Sequence, residues 1–309
     1  MKNFSYYRPA STDNAVALLD KKWGGAELLA GGTDLHDLQK EHILEPDKLI
    51  SVNGIADFDK INVKESSPPI IVIGGGATLA SIASHATIRQ YCPALAVAAG
   101  EAGTPQIRNM GTIGGNLCQR NRCWYFRDEH ANCLIKGGDK CFALDGQNRY
   151  HAIFTRGNNC VSVHPSTLAP ALIALDATVE AQGPTGKRTI EVAKFFQVPG
   201  SERDREHVLK PDEMVTSVTI KAKKNYRSAS YEVRHKQSYD WPLAHACVGV
   251  EIGNGKATNV RIALGHVGPI PILSEAAAKA LEGTAITEET AQAAGEAAAE
   301  GGTPLSQDA

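Results

Sequence analysis

The sequence predicts an α+β protein with two domains, and three observations support this class. Apolar runs that meet glycines and continue as helix patterns fill the first half of the chain. Consecutive strands followed by alanine-rich helices fill the last third. The 309 residues, of which 42% are hydrophobic, are enough for more than one core. We predict a first domain at residues 1–182, with a cysteine-rich loop at 117–160, and a second α+β domain at 183–309.

The first domain begins with a short strand and a capped helix. Ser11 or Thr12 can cap the stretch STDNAVALLDKKWG, in which Ala15, Leu18 and Leu19 share one face. The stretch AELLAGGTDLHDLQK then predicts a strand, a glycine turn and the start of a helix.

The rest of this domain repeats the same arrangement. LISVNGI and IIVIGGG predict strands, and ATLASIASH and ALAVAAGEAG predict helices. In TPQIRNMGTIGGN, glycine and asparagine predict a break in regular structure. After the cysteine-rich loop, HPSTLAPALIALDATVEAQG predicts a helix and a strand.

The second domain opens with turns, a loop and a β-rich segment, EMVTSVTIKA. SASYEVRH and HACVGVEIG follow as strands, and a GNGK hairpin turn leads to a third strand in NVRIALGHVG. The chain then becomes helical in EAAAKALEG and ETAQAAGEAAAEG.

The charge balance excludes some classes of partner. Lysine and arginine number 32 against 34 aspartates and glutamates, so nothing indicates a nucleic acid or an anionic membrane surface. No apolar run reaches the roughly 20 residues of a membrane span, and MKNFSYYRPA lacks the regions of a signal peptide. We expect a cytoplasmic protein, or a periplasmic one that is exported together with a partner. No G-x-S-x-G or H-E-x-x-H motif is present, so we expect no catalytic residue on this chain.

Two glycine turns are candidate anion sites. In AGGTDL, residues 30–35, Gly31 and Gly32 can take positive φ, so that backbone N–H groups converge on a pyrophosphate beside Thr33. A tight turn that binds nothing is the alternative. GTIGGN, residues 111–116, has similar chemistry. Neither turn fits GxGxxG or GxxxxGK[ST], which argues against a Rossmann NAD site and a P-loop.

The seven cysteines indicate metal ligation in a reducing compartment. Five of them fall between Cys118 and Cys160, in a chain too large to need disulfides. Four thiolates can hold zinc or an iron–sulfur cluster, and their spacing alone leaves both open. Cys92 and Cys247 lie in apolar surroundings, which predicts buried, unligated thiols.

Five motifs, in the same order along the chain, resemble the FAD-binding medium subunit of the molybdenum hydroxylases, the xanthine dehydrogenase and carbon monoxide dehydrogenase family. The motifs are LLAGGTDL, IGGGATLASI, TPQIRNMGTIGGNL, HPSTLAPALIALDA and IALGHVGPIPI. The resemblance implies a vanillyl-alcohol-oxidase-type FAD-binding domain in two α/β parts plus a C-terminal α+β domain. It also implies that the two glycine turns grip the FAD pyrophosphate from two sides.

The residues that the resemblance assigns to FAD are Ala30, Gly31, Gly32, Thr33, Asp34, Leu35, Gly111, Thr112, Gly114, Gly115, Asn116, Thr167 and Arg234. The family usually has aspartate where Thr167 stands, so this contact to a flavin hydroxyl would carry no charge. Arg234, with Lys236 and Tyr239, matches a basic stretch that approaches the flavin in the family. A solvated strand edge explains these side chains equally well.

The loop at residues 117–160 resembles the iron–sulfur loop in the flavin subunits of periplasmic aldehyde oxidoreductase and 4-hydroxybenzoyl-CoA reductase. The resemblance implies a [4Fe-4S] cluster on Cys123, Cys133, Cys141 and Cys160, and assigns Cys118 to the flavin turn. The flavin context favours this cluster over zinc. We expect the basic residues of the loop to offset the negative charge of the cluster; they are Arg120, Arg122, Arg127, Lys136 and Lys140.

The resemblance therefore implies an electron-transfer subunit that holds FAD and a [4Fe-4S] cluster. Its partners would be a large molybdenum-cofactor subunit and a small subunit with two [2Fe-2S] clusters, and its acceptor ferredoxin, NAD or oxygen. An aldehyde oxidoreductase or dehydrogenase is favoured, with a 4-hydroxybenzoyl-CoA reductase or a xanthine dehydrogenase as the alternative. From a different class, a zinc-stapled, nucleotide-binding interaction subunit without a redox role also fits the residues.

Overall fold

The computed structural model describes residues 1–155, 157–237 and 239–308. Strands and helices both contribute substantially to it, which confirms the predicted α+β class. The strands are β1 (Ser5–Tyr7), β2 (Ala26–Leu29), β3 (Lys48–Ser51), β4 (Ile61–Lys64), β5 (Ile70–Gly74), β6 (Thr178–Gly183), β7 (Gly186–Glu191), β8 (Met214–Lys221), β9 (Tyr226–Val233), β10 (Ala244–Gly253), β11 (Lys256–Gly265) and β12 (Ile272–Leu273). The helices are α1 (Thr12–Leu18), α2 (Leu35–Lys40), α3 (Leu79–Ser84), α4 (Ala86–Tyr91), α5 (Pro93–Glu101), α6 (Pro105–Met110), α7 (Ile113–Cys118), α8 (Trp124–Arg127), α9 (Leu168–Ala174), α10 (Glu275–Leu281) and α11 (Glu288–Ala299).

The first sheet is parallel, with the strand order β1-β3-β2. Helix α1 crosses between β1 and β2, and the Oγ of Ser11 accepts the N–H of Asn14 at 3.2 Å, which confirms the predicted cap. Strand β2 ends at Leu29 and α2 begins at Leu35, so the first glycine turn lies at the carboxyl end of a parallel strand. Ligands bind at this end of parallel sheets in many α/β proteins.

The second sheet is antiparallel, with the strand order β4-β5-β8-β6-β7. The largest hydrophobic core includes fully buried residues of this sheet and of α3, α5 and α9, among them Ile73, Ile82, Leu95 and Leu172. Burial of each such side chain stabilises the fold by about 1.5–3 kcal/mol.

This sheet crosses the domain boundary that the sequence predicts between residues 182 and 183. Strand β8 lies between β5 and β6, and β7 pairs with β6, so both strands complete the first domain. The pairing joins residues far apart in sequence, such as Ile71 and Ile220, and no local pattern reports it. We propose that the boundary lies between β8 and β9 instead.

The third sheet is antiparallel, with the strand order β12-β11-β10-β9, and α10 and α11 share a core with it. Asn254 and Gly255 both have positive φ, which suits the tight turn between β10 and β11 that the sequence predicts. Beyond α11, the chain returns to the cysteine-rich loop, where the backbone N–H of Gln307 donates to Asn148 at 3.0 Å. In the described residues, no helix combines the length and apolar character that a bilayer crossing requires.

The predicted break in TPQIRNMGTIGGN is present at Gly111 and Thr112, but the prediction is wrong for the rest of the stretch, most of which forms the short helices α6 and α7. The Oγ1 of Thr104 accepts the N–H of Ile107 at 3.3 Å, and the Oγ1 of Thr112 accepts that of Gly115 at 3.1 Å. Two threonine caps thus start helices that glycine content alone argues against. The glycine at position 114 is required by packing, since a Cβ there would lie 2.8 Å from the carbonyl oxygen of Gly75.

Candidate functional site

A cleft of about 500 Å³ runs between the first sheet, the second sheet and the segment that joins β9 to β10. This volume lies in the range of cavities that hold small molecules and cofactors. The cleft is lined by twelve of the residues that the family resemblance assigns to FAD, which are Ala30, Gly31, Gly32, Thr33, Asp34, Leu35, Gly111, Thr112, Gly114, Gly115, Asn116 and Thr167. Two turns that are far apart in sequence therefore face one space.

The first glycine turn presents free backbone donors to the cleft. Among the described residues, the N–H groups of Gly31, Gly32, Thr33 and Asp34 have no hydrogen-bond acceptor. Gly32 has φ of 71°, a conformation that favours glycine. Successive free N–H groups beside a helix start form a concave anion site, which is the chemistry that a pyrophosphate requires.

The second turn touches the first one but offers fewer donors than predicted. A Cβ on Gly31 would lie 1.8 Å from the carbonyl oxygen of Met110, so only glycine permits this contact. The prediction that GTIGGN presents a row of N–H donors is wrong for five of its six residues, whose N–H groups donate to carbonyls or to a threonine hydroxyl. The donor and acceptor pairs are Gly111 with Ile107, Ile113 with Ala77, Gly114 with Gly75, Gly115 with Thr112 Oγ1, and Asn116 with Thr112. The second turn therefore mainly shapes the cleft.

Other parts of the cleft were not predicted from the sequence. Gly75 lines it from the turn after β5, and the glycine run IGGGAT was the available signal. Arg205 lies at another wall, with its guanidinium 4.7 Å from the ring centre of Trp23. Burial lowers the pKa of Arg205 to about 10, which leaves it charged at neutral pH. This cation is buried and lies 3.8 Å from Glu27 Oε1. A buried guanidinium suits a phosphate, but the loop sequence around it carries no recognisable pattern.

Thr167 and Arg234 differ in their relation to the cleft. Thr167 lines it at the start of α9, next to Ser166, whose Oγ donates to Asn116 at 2.7 Å. Arg234 does not itself line the cleft in the described part of the chain. Its guanidinium is paired with Glu232 and with Glu101, at 3.3 Å from the latter, and both carboxylates line the cleft. The predicted cation is thus compensated by two acidic side chains.

The four cysteines that the resemblance selects line one small pocket. Cys123, Cys133, Cys141 and Cys160 surround it together with apolar side chains such as Phe126. Burial raises the pKa of Cys123 to about 12 and also raises the pKa of Cys133 and of Cys160. Because metal ions bind thiolates, a metal bound here would have to displace these protons.

Cys118, which the resemblance assigns to the flavin turn, lies outside the small pocket of the other four cysteines. It ends α7 and lines the large cleft, and burial raises the pKa of its thiol to about 12. Cys92 and Cys247 are fully buried, as their apolar surroundings predict.

Asp34 joins the glycine turn to the cysteine-rich loop. Its carboxylate lies 2.7 Å from Arg122 Nη1 and 2.7 Å from Arg127 Nη2, and it accepts the backbone N–H of Arg120 at 2.9 Å. The guanidinium of Arg120 in turn lies 2.7 Å from the buried carboxylate of Glu206. The sequence predicts that these arginines offset the charge of a cluster, but the carboxylates compensate them instead.

We expect Asp34→Asn to loosen the loop. The substitution keeps the size of the side chain and removes the charge that faces two partly buried arginines, which should lower the free energy of unfolding by about 2 kcal/mol. Proteolysis within residues 117–160 should then become faster. The matched control is Asp37→Asn, because Asp37 is half exposed and lies 3.3 Å and 3.6 Å from the same arginines. We expect it to cost about 0.5 kcal/mol, and equal losses in both variants would contradict this interpretation.

Known protein families match the chain over nearly its whole length. The family described as FAD binding domain in molybdopterin dehydrogenase matches residues 2–221, and the family described as CO dehydrogenase flavoprotein C-terminal domain matches residues 229–309. The first range ends with β8, and the second begins within β9. The aldehyde oxidoreductase FAD-binding subunit PaoB of Escherichia coli (strain K12) is 36% identical over 280 residues, which cover 90% of this chain and 85% of that protein.

Carbon monoxide dehydrogenases are similar in sequence and in structure. The medium chain from Hydrogenophaga pseudoflava is 28% identical over 296 residues, which cover 96% of this chain and 85% of that protein. A solved structure of carbon monoxide dehydrogenase from the same organism contains a chain that superposes with a TM-score of 0.75 at 28% identity, covering 98% of this chain and 88% of that one.

Proposed function

Since the chain belongs to the family of FAD-binding medium subunits of molybdenum hydroxylases, we propose that it is the electron-transfer subunit of such a complex and carries a [4Fe-4S] cluster besides FAD. FAD supplies the exchange of an electron pair, and the cluster supplies the transfer of single electrons. In the cleft, the free N–H groups of the first glycine turn bind the FAD pyrophosphate, and Arg205 adds positive charge.

The observation that best supports the cluster proposal is that the four selected thiols line one pocket, and that the hydrophobic cluster around this pocket reaches the cleft. Leu38 lines the cleft and also packs in the hydrophobic cluster that contains Cys133 and Cys160. Asp34 connects the two sites on the polar side through Arg122 and Arg127. Proximity of this kind favours electron transfer between the two cofactors.

The spacing of the thiols favours an iron–sulfur cluster over zinc. Tetrahedral zinc with Zn–S bonds of about 2.3 Å holds every pair of sulfurs about 3.8 Å apart. Among the described residues, no three of these cysteines bring their Sγ atoms within 4.8 Å of one another. A [4Fe-4S] cluster is wider than a single ion and does not require its ligand sulfurs to lie so close together. The pocket is also enclosed by apolar residues such as Phe126 and Ile135, as an iron–sulfur site requires.

The relatives support a proposal for the composition of the complex. Their medium subunits support a large molybdenum-cofactor subunit as partner, and we propose in addition a small subunit with two [2Fe-2S] clusters. Similarity to an aldehyde oxidoreductase subunit supports an aldehyde as the substrate of the complex. Electrons would pass from the molybdenum subunit through FAD to an acceptor such as ferredoxin, NAD or oxygen.

The test compares Cys133→Ser with Cys118→Ser, a cysteine outside the pocket. We expect the purified protein to show flavin absorption with a broad iron–sulfur shoulder that bleaches on reduction. Cys133→Ser should lose the shoulder and most of its iron while FAD stays bound, because serine is a poor ligand for the cluster. Cys118→Ser should keep the shoulder. A colourless protein with one zinc ion would reject the redox role, and an unchanged shoulder in Cys133→Ser would reject the ligand assignment.

A further inference from the structure

Three neighbouring strands of the third sheet bring a carboxylate and two imidazoles together. Glu232 on β9 pairs directly with His245 on β10, and His245 pairs with Gly265 on β11. His266 follows Gly265 at the end of β11. A Cβ on Gly265 would lie 3.3 Å from His245 Nδ1, so glycine leaves the space that the imidazole occupies.

The three side chains converge on one point with unsatisfied atoms. Each residue offers one ligand atom that lies within 4.8 Å of a ligand atom of the other two. Glu232 Oε1, His245 Nδ1 and His266 Nε2 are buried and find no hydrogen-bond partner in the described part of the chain. Glu232 Oε1 and His245 Nδ1 are 3.8 Å apart, too far for a hydrogen bond. The side chains of Glu232 and His245 are 1% and 0% exposed. Three orphaned buried polar atoms at one point are costly unless a further group satisfies them.

The surroundings orient both imidazoles toward this point. The hydroxyl of Ser230 lies 2.8 Å from His245 Nε2, and a proton on Nε2 leaves the Nδ1 lone pair directed at the other two groups. His266 has φ of 60°, a left-handed conformation that costs energy in a residue other than glycine. Strain of this kind at a cluster of polar side chains is typical of functional sites.

The charge of the cluster leaves room for a cation. Arg234 contacts both Glu232 and Glu101, so one positive group faces two negative ones.

We propose that Glu232, His245 and His266 bind one divalent transition-metal cation, separate from the thiols of the cysteine-rich loop. Two neutral imidazoles and a carboxylate are a ligand set for zinc and for ferrous iron, with water in the remaining positions. Glu232 also lines the large cleft, which gives the cation an entrance. The bound cation would join β9, β10 and β11 at the wall of the cleft.

The test uses Co²⁺ as the probe, added to the full-length protein with its flavin and its loop intact. Binding to nitrogen and oxygen ligands gives weak visible bands, whereas binding to the loop thiols gives intense charge-transfer absorption. We expect one Co²⁺ per chain with only the weak bands. His266→Ala and Glu232→Gln should each weaken this binding by roughly 100-fold, because each removes one of three ligands. His130→Ala should not, since His130 is exposed on the loop.

Two results would overturn the proposal. One is a wild-type protein that binds no Co²⁺ with nitrogen and oxygen ligands; the other is equal affinity in His266→Ala and His130→Ala. If the variants do not fold, the X-ray absorption spectrum of the zinc-loaded wild-type protein tests the proposal by identifying the ligand atoms around zinc. A shell of nitrogen and oxygen around zinc supports the site, and a shell of sulfur alone rejects it.

Discussion

Replacing Gly31 by alanine is expected to abolish retention of FAD. The new Cβ would lie 1.8 Å from the carbonyl oxygen and 2.4 Å from the carbonyl carbon of Met110, and neither backbone atom can rotate away. The first glycine turn must therefore move away from the second one. If the variant needs about 3 kcal/mol to bring the two turns back to the arrangement that binds FAD, its affinity for FAD falls about 100-fold. The protein should purify nearly colourless in the flavin region, which absorption after denaturation and titration with FAD would measure.

Gly295→Ala is the matched control for this substitution. Gly295 lies within α11, where an added Cβ meets no described atom within 4 Å outside the backbone of its own helix. Alanine in a helix interior is more favourable than glycine by about 0.5–1 kcal/mol, so this variant should keep FAD and gain slight stability. Full FAD content in Gly31→Ala would show that the contact between the two turns does not shape the flavin site.

Glu206→Gln is expected to produce the largest loss of stability. The carboxylate of Glu206 is 1% exposed, lies 2.7 Å from Arg120 and accepts two hydrogen bonds from Asn121. The amide would leave the guanidinium of Arg120 buried without its counter-charge, which costs about 3–5 kcal/mol. A lower unfolding temperature and faster proteolysis of residues 117–160 would confirm this. Glu202→Gln is the control, since Glu202 lies nearby and is exposed.

The effect of Glu206 should depend on pH. Burial alone would raise the pKa of Glu206, but Arg120 and the hydrogen bonds from Asn121 hold it below its usual value. A carboxyl group whose pKa is lower in the folded state stabilises that state above its unfolded pKa, and loses this contribution as pH falls through its folded pKa. The stability difference between the wild type and Glu206→Gln should therefore shrink below about pH 4. A difference that stays constant down to pH 3 would contradict the ion pair.

The double variant Arg120→Met with Glu206→Leu separates the charge from the packing. Replacing both members of a buried ion pair by apolar residues is often neutral or stabilising, because no charge remains buried. We expect it to regain most of the stability that Glu206→Gln loses.

Local patterns predicted those parts of the fold and site that depend on neighbouring residues. The cap at Ser11, the turn at Asn254 and Gly255, and the glycine turn of Gly31 all arise from spacing within a few positions. The same holds for the buried state of Cys92 and Cys247, which their apolar neighbours indicate.

Contacts between distant segments could not be predicted. The place of β8 in the second sheet depends on pairs such as Val179 with Val218. The charge of Arg120 is balanced by Glu206, which lies 86 positions away in the sequence. Two of the engaged N–H groups of the second turn donate to Gly75 and Ala77, and the four helices α3 to α6 lie between these residues and the turn. Glu232 and His266 meet only because strand register places them beside His245.

The anchoring of the cysteine-rich loop limits how far it can be transplanted. Its cysteines all lie within residues 117–160, but the groups that hold it lie outside, at Asp34, Glu206 and Gln307. A relative without the insertion would need these acceptors as well as the loop. Transfer of the loop to another protein therefore requires four separate segments of the chain. A chimera that carries residues 117–160 alone should leave Arg120, Arg122 and Arg127 without counter-charges.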